Sequence, residues 1–328
     1  MGWSYSPSTW TQRLPIIALS LVGLFVSRYL AAYQMGHVDG LWDPFFGPGS
    51  PELAGASPAA SNGSETVVTS WLSKSFPIPD AGLGAAAYAL DILAGAIGDR
   101  RRWRTMPWLV LLFGLLIVPL GAVSLVFVMV QPPLIGALCA LCILQAAVTL
   151  LLIPYSVDEL LATCQYLRRA KRAGEPFWRT FWMGGPSLAE DQTPAPDLDR
   201  PASAVLKDFL TGGVNFPWTL VATCGLGVWL TATRLVFGAE PPLHYSDHVA
   251  GWLVIGVAVT AMAEVARPVR FLNVAVGGWI ALSPLVLGGG GTAVLLNHVV
   301  AGGLVALLSL PRGKRSRETY GGWDRLIV

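Results

Sequence analysis

The chain has 328 residues, 53% of them hydrophobic and 13% charged, with a net charge of +2 and a mean hydropathy of +0.56. A soluble globule carries about 25% charged residues, so the composition excludes one and makes lipid the main solvent. The chain also lacks a nucleic-acid signature, a Gly-rich phosphate loop and a Ser-His-Asp grouping, and no second Cys or His pair has zinc-ligand spacing.

Apolar runs near the ~20 residues that cross a bilayer recur along the chain. They predict eight spans, at 14–33, 81–98, 107–129, 134–154, 216–237, 250–266, 271–287 and 292–310. The first keeps Arg28 and Tyr29 inside it and has no small-residue cleavage site after it, so it reads as a retained helix rather than a signal peptide. The second is rich in Ala and Gly and carries Asp91, a costly residue in lipid that requires a partner.

Lys and Arg fall in alternate loops: Arg100, Arg101, Arg102 and Arg104; Arg168, Arg169, Lys171, Arg172 and Arg179; Arg267 and Arg270; Arg312, Lys314, Arg315 and Arg317. The opposite loops carry Asp39, Asp43, Glu52, Glu65, Glu240 and Asp247, with Lys74 as the exception. The positive-inside rule then puts both termini in the cytoplasm of a multi-pass protein, in the inner membrane of a bacterium. Arg28 and Arg234, near outer helix ends, read as snorkelling side chains or as partners of loop carboxylates.

The first outer loop, 34–79, is long. Its Pro-, Gly-, Ala- and Ser-rich middle, 48–64, is expected to be poorly ordered, and the aromatic pieces around Trp42 to Gly47 and Trp71 to Ser73 to form a cap. Between the two blocks of spans, the fourth helix is expected to continue from Val157 to Ala173 and to end at Glu175-Pro176. Phe177, Trp178, Phe181 and Trp182 suggest a segment lying on the headgroups, and 185–205 reads as a Pro-rich linker. The second block contains a repeat of about 50 residues. Gly227-Val228-Trp229, Gly238 and Asp247-His248 answer Gly277-Gly278-Trp279, Gly288 and Asn297-His298, and Thr233 answers Ser283. His248 and His298 are repeat equivalents; such a pair could ligate a haem axially, and duplication also produces it with no ligand. His37 and His244 read as exposed loop residues.

The most chemical feature is Cys139-Ala140-Leu141-Cys142 at the outer mouth of the fourth span. A spacing of three puts both sulfurs on one helix face, and a helix N-terminus favours a thiolate. The pair reads either as a dithiol trading electrons with something dissolved in the bilayer or as two small residues that pack well. Cys164 and Cys224 fall toward the opposite side, too far to bridge to it.

Residues 14–165 resemble the vitamin K epoxide reductase family. The resemblance rests on Ser27 and Tyr29, on Val67 to Ser70, on Pro79-Asp80-Ala81-Gly82-Leu83-Gly84 and Tyr88, on Gln131-Pro132, and on the Cys139/Cys142 pair in its topological position. Residues 216–310 resemble the SPW-repeat module, with Ser283-Pro284 following Trp279. The first resemblance implies a four-helix bundle with a quinone pocket beside the cysteine pair. In it Cys142 reacts with the quinone, Cys139 exchanges with a protein thiol, and Asp80, Gly84, Tyr88, Gln131 and Gln145 lie at the pocket. By the residues alone, Asp80 also reads as a helix cap, and the two glutamines as ordinary polar packing. One departure stands out. The family's second cysteine pair, a relay in the first outer loop, would fall near Trp42-Asp43 and near Ser64, and neither place holds Cys.

The expected protein is therefore an all-α integral membrane protein. Its reductase-like domain is 1–165, followed by a cytoplasmic basic and interfacial segment at 166–215, an SPW-like four-helix block of two repeated helix pairs at 216–310, and a basic tail at 311–328. Its expected activity is thiol–quinone oxidoreduction at Cys139 and Cys142 with ubiquinone or menaquinone as substrate or bound ligand, no metal, and a periplasmic thiol protein or larger redox complex as partner. The alternative is a non-catalytic membrane scaffold or accessory subunit that retains the pocket.

Overall fold

The computed structural model describes residues 2–47, 62–186, 198–211, 214–288, 290–316 and 318–327. The expectation of poor order at 48–64 lies mostly outside these residues, as does the middle of the 185–205 linker. Among the described residues the secondary structure is helical, with two isolated bridges and no strand.

Four long helices build the first block: α1 (Trp10–Gln34), α3 (Asp80–Ala96), α5 (Pro107–Val130) and α6 (Ala140–Arg172). Short helices α2 (Gly63–Val68) and α4 (Arg102–Thr105) lie between them. Antiparallel α1 and α3 approach closely at glycines; a Cβ on Gly84 would sit 3.2 Å from Ser27 Oγ, and Gly23 leaves room for the Tyr88 ring. The chain turns from α5 to α6 through a π-helical turn, Gln131–Ile135. Pro132 and Pro133 have no N–H to continue an α-helix, and the turn closes where Gly136 N–H reaches back five residues to Gln131 O at 3.0 Å, with Gly136 left-handed at φ 73°.

The fourth helix does run on past Val157, to Arg172. Its start is corrected from 134 to Ala140, because the proline turn occupies the preceding residues. The expected interfacial segment is helix α7 (Phe177–Met183), whose Trp182 packs against Trp108. The end of the expected linker already belongs to α8 (Ala202–Thr211).

The second block contains α9 (Trp218–Thr231), α10 (Thr233–Phe237), α11 (Leu243–Thr260), α12 (Leu272–Leu287) and α13 (Thr292–Ser309). Gly227 packs on the backbone of Gly251, and Gly277 on that of Gly302, the close approach small residues allow. The repeat motifs knit the halves together. Trp229 Nε1 donates to Asn297 Oδ1 and Trp279 Nε1 to Ser246 Oγ, both at 2.9 Å.

Among the described residues, five helical stretches are long and apolar enough to cross a bilayer: Trp10–Gln34, Pro107–Ile135, Ala140–Arg172, Glu264–Leu287 and Thr292–Ser309. The other three predicted spans are helices that miss this mark. α3 has 17 residues, α9 has 14 because the chain breaks at Ala232, and α11 carries His244, Asp247 and His248. The sixth span shifts from 250–266 to Leu243–Thr260, which buries His244 instead of leaving it in a loop.

The two blocks meet where Val128, Met129, Ala146 and Leu150 pack against Trp252 and Val259. The expected basic tail is part of the fold. Trp3 bridges Tyr320, both rings are buried, and Tyr320 Oη donates to Glu264 Oε2 at 2.8 Å. Several loop arginines are likewise structural. Arg102, Arg267 and Arg270 are almost fully buried on carbonyls near helix ends, and Arg102 pairs with Glu159 through two 2.7 Å contacts.

Candidate functional site

Cys139 is the N-cap of α6, and its Sγ accepts a hydrogen bond from Cys142 N–H at 3.0 Å. The two cysteines form a disulfide with Cα atoms 5.2 Å apart, while Cys164 and Cys224 are free. Cys139 is fully buried, and Cys142 faces a cavity of about 340 Å³ between α1, α3, α5 and α6. That volume is in the range of small-ligand sites. The walls are mostly apolar, including Leu30, Phe76, Leu120 and Phe127.

Asp80, Gly84, Tyr88, Gln131 and Gln145 all line this cavity with Cys142. Each polar member is also held by the protein. Gln131 Oε1 accepts the Cys139 backbone N–H at 3.0 Å. Gln145 Nε2 donates to Ser27 Oγ. Tyr88 Oη is 2.6 Å from Thr149 Oγ1 and donates to Gln145 O at 3.2 Å. Asp80 Oδ1 accepts from Gln34 Nε2 at 2.5 Å and Ser73 Oγ at 2.7 Å. The N-cap position is Pro79, but Asp80 Oδ1 itself accepts the first-turn N–H of Ala81 at 2.9 Å while also anchoring Gln34 and Ser73. Among the described residues, Asp80 Oδ2, Gln131 Nε2 and Gln145 Oε1 make no hydrogen bond, which leaves one acceptor or donor on each for a ligand. Gly84 serves the approach of α3 to Ser27.

Two residues not expected at the site lie over the cysteine pair, Ser64 in contact with Cys139 and Asp43 bonded to Ser64. Ser64 Oγ lies 3.3 Å from Cys139 Sγ and donates to Asp43 Oδ2 at 2.7 Å. Asp43 Oδ2 also accepts from Ser64 N–H at 3.0 Å and from Ala140 N–H, at the start of α6, at 3.3 Å. Burial pushes the Asp43 carboxyl up, but hydrogen bonds from Ser64 and from the N–H groups of Phe46, Phe45 and Ala140 outweigh it and hold its pKa below the ordinary 3.8. Asn62 caps α2 by accepting Glu65 N–H, and Glu65 Oε1 accepts Leu41 N–H at 2.9 Å. The segments 41–47 and 62–68 are thus bound together over Cys139.

Asp91 is fully buried, and neither of its oxygens meets a hydrogen-bonding partner among the described residues, contrary to the expected polar neighbour. His248 and His298 turn to different partners. His248 Nε2 is 3.0 Å from Val128 O, and His298 Nε2 is 2.8 Å from Asp247 Oδ1. Asp247 also accepts from Thr233 Oγ1. Among the described residues no group of three or more His, Cys, Asp or Glu side chains could hold a metal ion.

Residues 14–157 match the vitamin K epoxide reductase family, and residues 217–311 match the SPW repeat domain. The chain is a vitamin K epoxide reductase family domain fused to an SPW repeat domain. No curated protein and no solved structure matches it. The vitamin K epoxide reductase family comprises membrane thiol oxidoreductases whose members act on quinones. In this fusion the SPW helix α11 packs against α5 and α6, the helices that carry one wall of the cavity and Cys142.

Proposed function

We propose that the protein is a membrane thiol–quinone oxidoreductase, with Cys139 and Cys142 as its redox pair and the cavity between α1, α3, α5 and α6 as its quinone site. The observation that carries this reading is Cys142 in the wall of an apolar cavity beside three unspent polar atoms of Asp80, Gln131 and Gln145. The half-reactions balance. The dithiol gives two electrons and two protons and becomes the disulfide, and a quinone takes two of each and becomes the quinol. Cys142 reacts at the cavity, and Cys139 closes the bond. Gln131, by fixing the Cys139 backbone, holds the start of α6 against the cavity. The dithiol end of the bundle faces the periplasm of a bacterial inner membrane, and both termini are cytoplasmic.

A second reading is a non-catalytic subunit that keeps a quinone or lipid in the same cavity. The burial of Cys139 under Ser64 and Asp43 favours it, because a protein thiol reaches that sulfur only after α2 moves.

Thiol trapping separates the two. Membranes carrying the protein with Cys164→Ser and Cys224→Ser are reduced, washed, given menadione or a short-chain ubiquinone, and alkylated with a mass-shifting maleimide. Protection of both cysteines by quinone, lost in Cys142→Ser, supports the enzyme. Full alkylation with either quinone rejects it.

A further inference from the structure

Quinone reduction consumes protons as well as electrons, and the cavity is only part of the polar interior. Tyr88 sits in the cavity wall, with Oη on Thr149 Oγ1. Asp91 follows on the same face of α3, three residues deeper into the bundle. The α1–α3 register is fixed at three points. Ser27 meets Gly84, Gly23 meets the Tyr88 ring, and a Cβ on Gly95 would lie 2.7 Å from Ile17. The same register sets Ser20 level with Asp91. Ser20 is also fully buried, and its hydroxyl also lacks a partner among the described residues.

Beyond Asp91, away from Cys139, the polar groups continue. Arg13 Nη1 donates to Gly95 O at 3.2 Å and to Ile97 O at 3.0 Å, and Arg102 binds Ala94 O and Glu159. Glu159 accepts from Ser8 Oγ at 2.5 Å. α5 offers no ionisable side chain along its whole length. The polar and titratable side chains on the elements around Asp91 are therefore Tyr88 of its own helix, Ser20 and Arg13 of α1, Thr149 and Glu159 of α6, and Arg102 of α4, none of them hydrogen-bonded to it. A carboxyl with no counter-charge in contact is cheapest in lipid as the neutral acid, the form that can give a proton.

We propose that Asp91 stores a proton for the bound quinone, that its carboxyl, which has no hydrogen-bonding partner among the described residues, turns to Tyr88 to hand that proton on, and that Asp91 is reloaded from the end of the bundle opposite Cys139. This rests on the thiol–quinone reading. In one turnover Cys142 and Cys139 lose two electrons and two protons, and the quinone gains two of each. Asp91 supplies one quinone proton through Tyr88, and the Cys142 thiol supplies the other. The Cys139 proton leaves beside Ser64 and Asp43. One proton thus enters at the far end while one leaves at the dithiol end, so each quinol formed moves one charge along the bundle. The inference adds a vectorial activity to the thiol–quinone exchange.

The test uses the full chain, dithiothreitol as reductant and decylubiquinone as probe, with the Cys142→Ser rate subtracted as background. Asp91→Asn is expected to slow quinol formation at least tenfold, with a steeper loss toward high pH. Reduction of the Cys139–Cys142 disulfide by dithiothreitol, followed by alkylation, is expected to keep its wild-type rate, and Asp91→Glu to restore most of the activity. That unchanged disulfide reduction also shows that Asp91→Asn has folded; if it is lost, Ser20→Ala and Asp91→Glu carry the test. In proteoliposomes, wild-type turnover is expected to drive a voltage-sensitive dye and Asp91→Asn to silence it. Wild-type quinol formation with an unaffected Asp91→Asn, or with no voltage, overturns this inference alone. No quinol from wild type overturns the thiol–quinone reading and this inference with it.

Discussion

Ser64 Oγ lies 3.3 Å from Cys139 Sγ while donating to Asp43 Oδ2 at 2.7 Å. The two stretches near which the resemblance puts relay cysteines thus supply a carboxylate and a hydroxyl bonded to each other, the hydroxyl against Cys139 and the carboxylate on the first N–H of the α6 helix. Neither group can exchange with a disulfide, so the contact keeps the geometry of a relay without its chemistry. Restoring one sulfur tests this. With Ser64→Cys and Cys142→Ser in a background free of Cys164 and Cys224, mild oxidation is expected to join positions 64 and 139. Peptide mapping reads the crosslink, and two free thiols would show that the segments do not pack as described.

Gly63 fits α2 onto the turn before α6. A Cβ there would lie 2.0 Å from Leu138 O, a backbone atom that cannot swing aside. Gly63→Ala is expected to push α2 away, at a cost of about 1–3 kcal/mol. Cys139, fully buried now, should then alkylate several times faster after reduction.

Asp43 sets an acid limit on the same cover. Its pKa is below 3.8, so the carboxylate favours the folded cover above the ordinary aspartate range, and that contribution is lost as pH falls through the lowered value. Hydrogen exchange of residues 62–68, corrected for intrinsic rates, is expected to be flat from pH 7 to 5 and to rise below about pH 3.8. Asp43→Asn should show the fast exchange at every pH.

The Arg102–Glu159 pair is buried at the end of the bundle away from Cys139, with side chains 1% and 3% exposed. Arg102→Met takes the fork from Glu159 and the arginine donor from the Ala94 carbonyl, while Ile97 O keeps Arg13, so a loss of about 3–5 kcal/mol is expected. Replacing both residues by Met should recover part of it. Thermal unfolding in detergent measures both, and a double variant as weak as the single one would assign the loss to the Ala94 carbonyl.

The helices were legible because a bilayer imposes a length and an apolarity that α1, α5, α6, the stretch Glu264–Leu287 and α13 carry openly. The site was legible in part. Cys142, Asp80, Tyr88, Gln131 and Gln145 do line one cavity, but the bonds that hold Gln131 to Cys139 or Asp80 to Gln34 depend on how helices meet and leave no periodic trace. Asp43 and Ser64 lie in aperiodic stretches whose meeting is set by tertiary contact. Arg102, Arg267 and Arg270 read as loop charges for a related reason: composition records a cation but not the bare carbonyls at a helix end that draw it inward.

The clasp between residues near the two ends has a consequence for synthesis. The Thr319 N–H that bonds Ser4 Oγ is 315 positions away from it. At ribosomal speed that separation is roughly 15–60 s. For that interval Trp3 lies outside the clasp, and Glu264 waits from its own synthesis until Tyr320 arrives. A nascent chain therefore keeps these groups without each other until Thr319 and Tyr320 emerge, and one halted at residue 310 never pairs them.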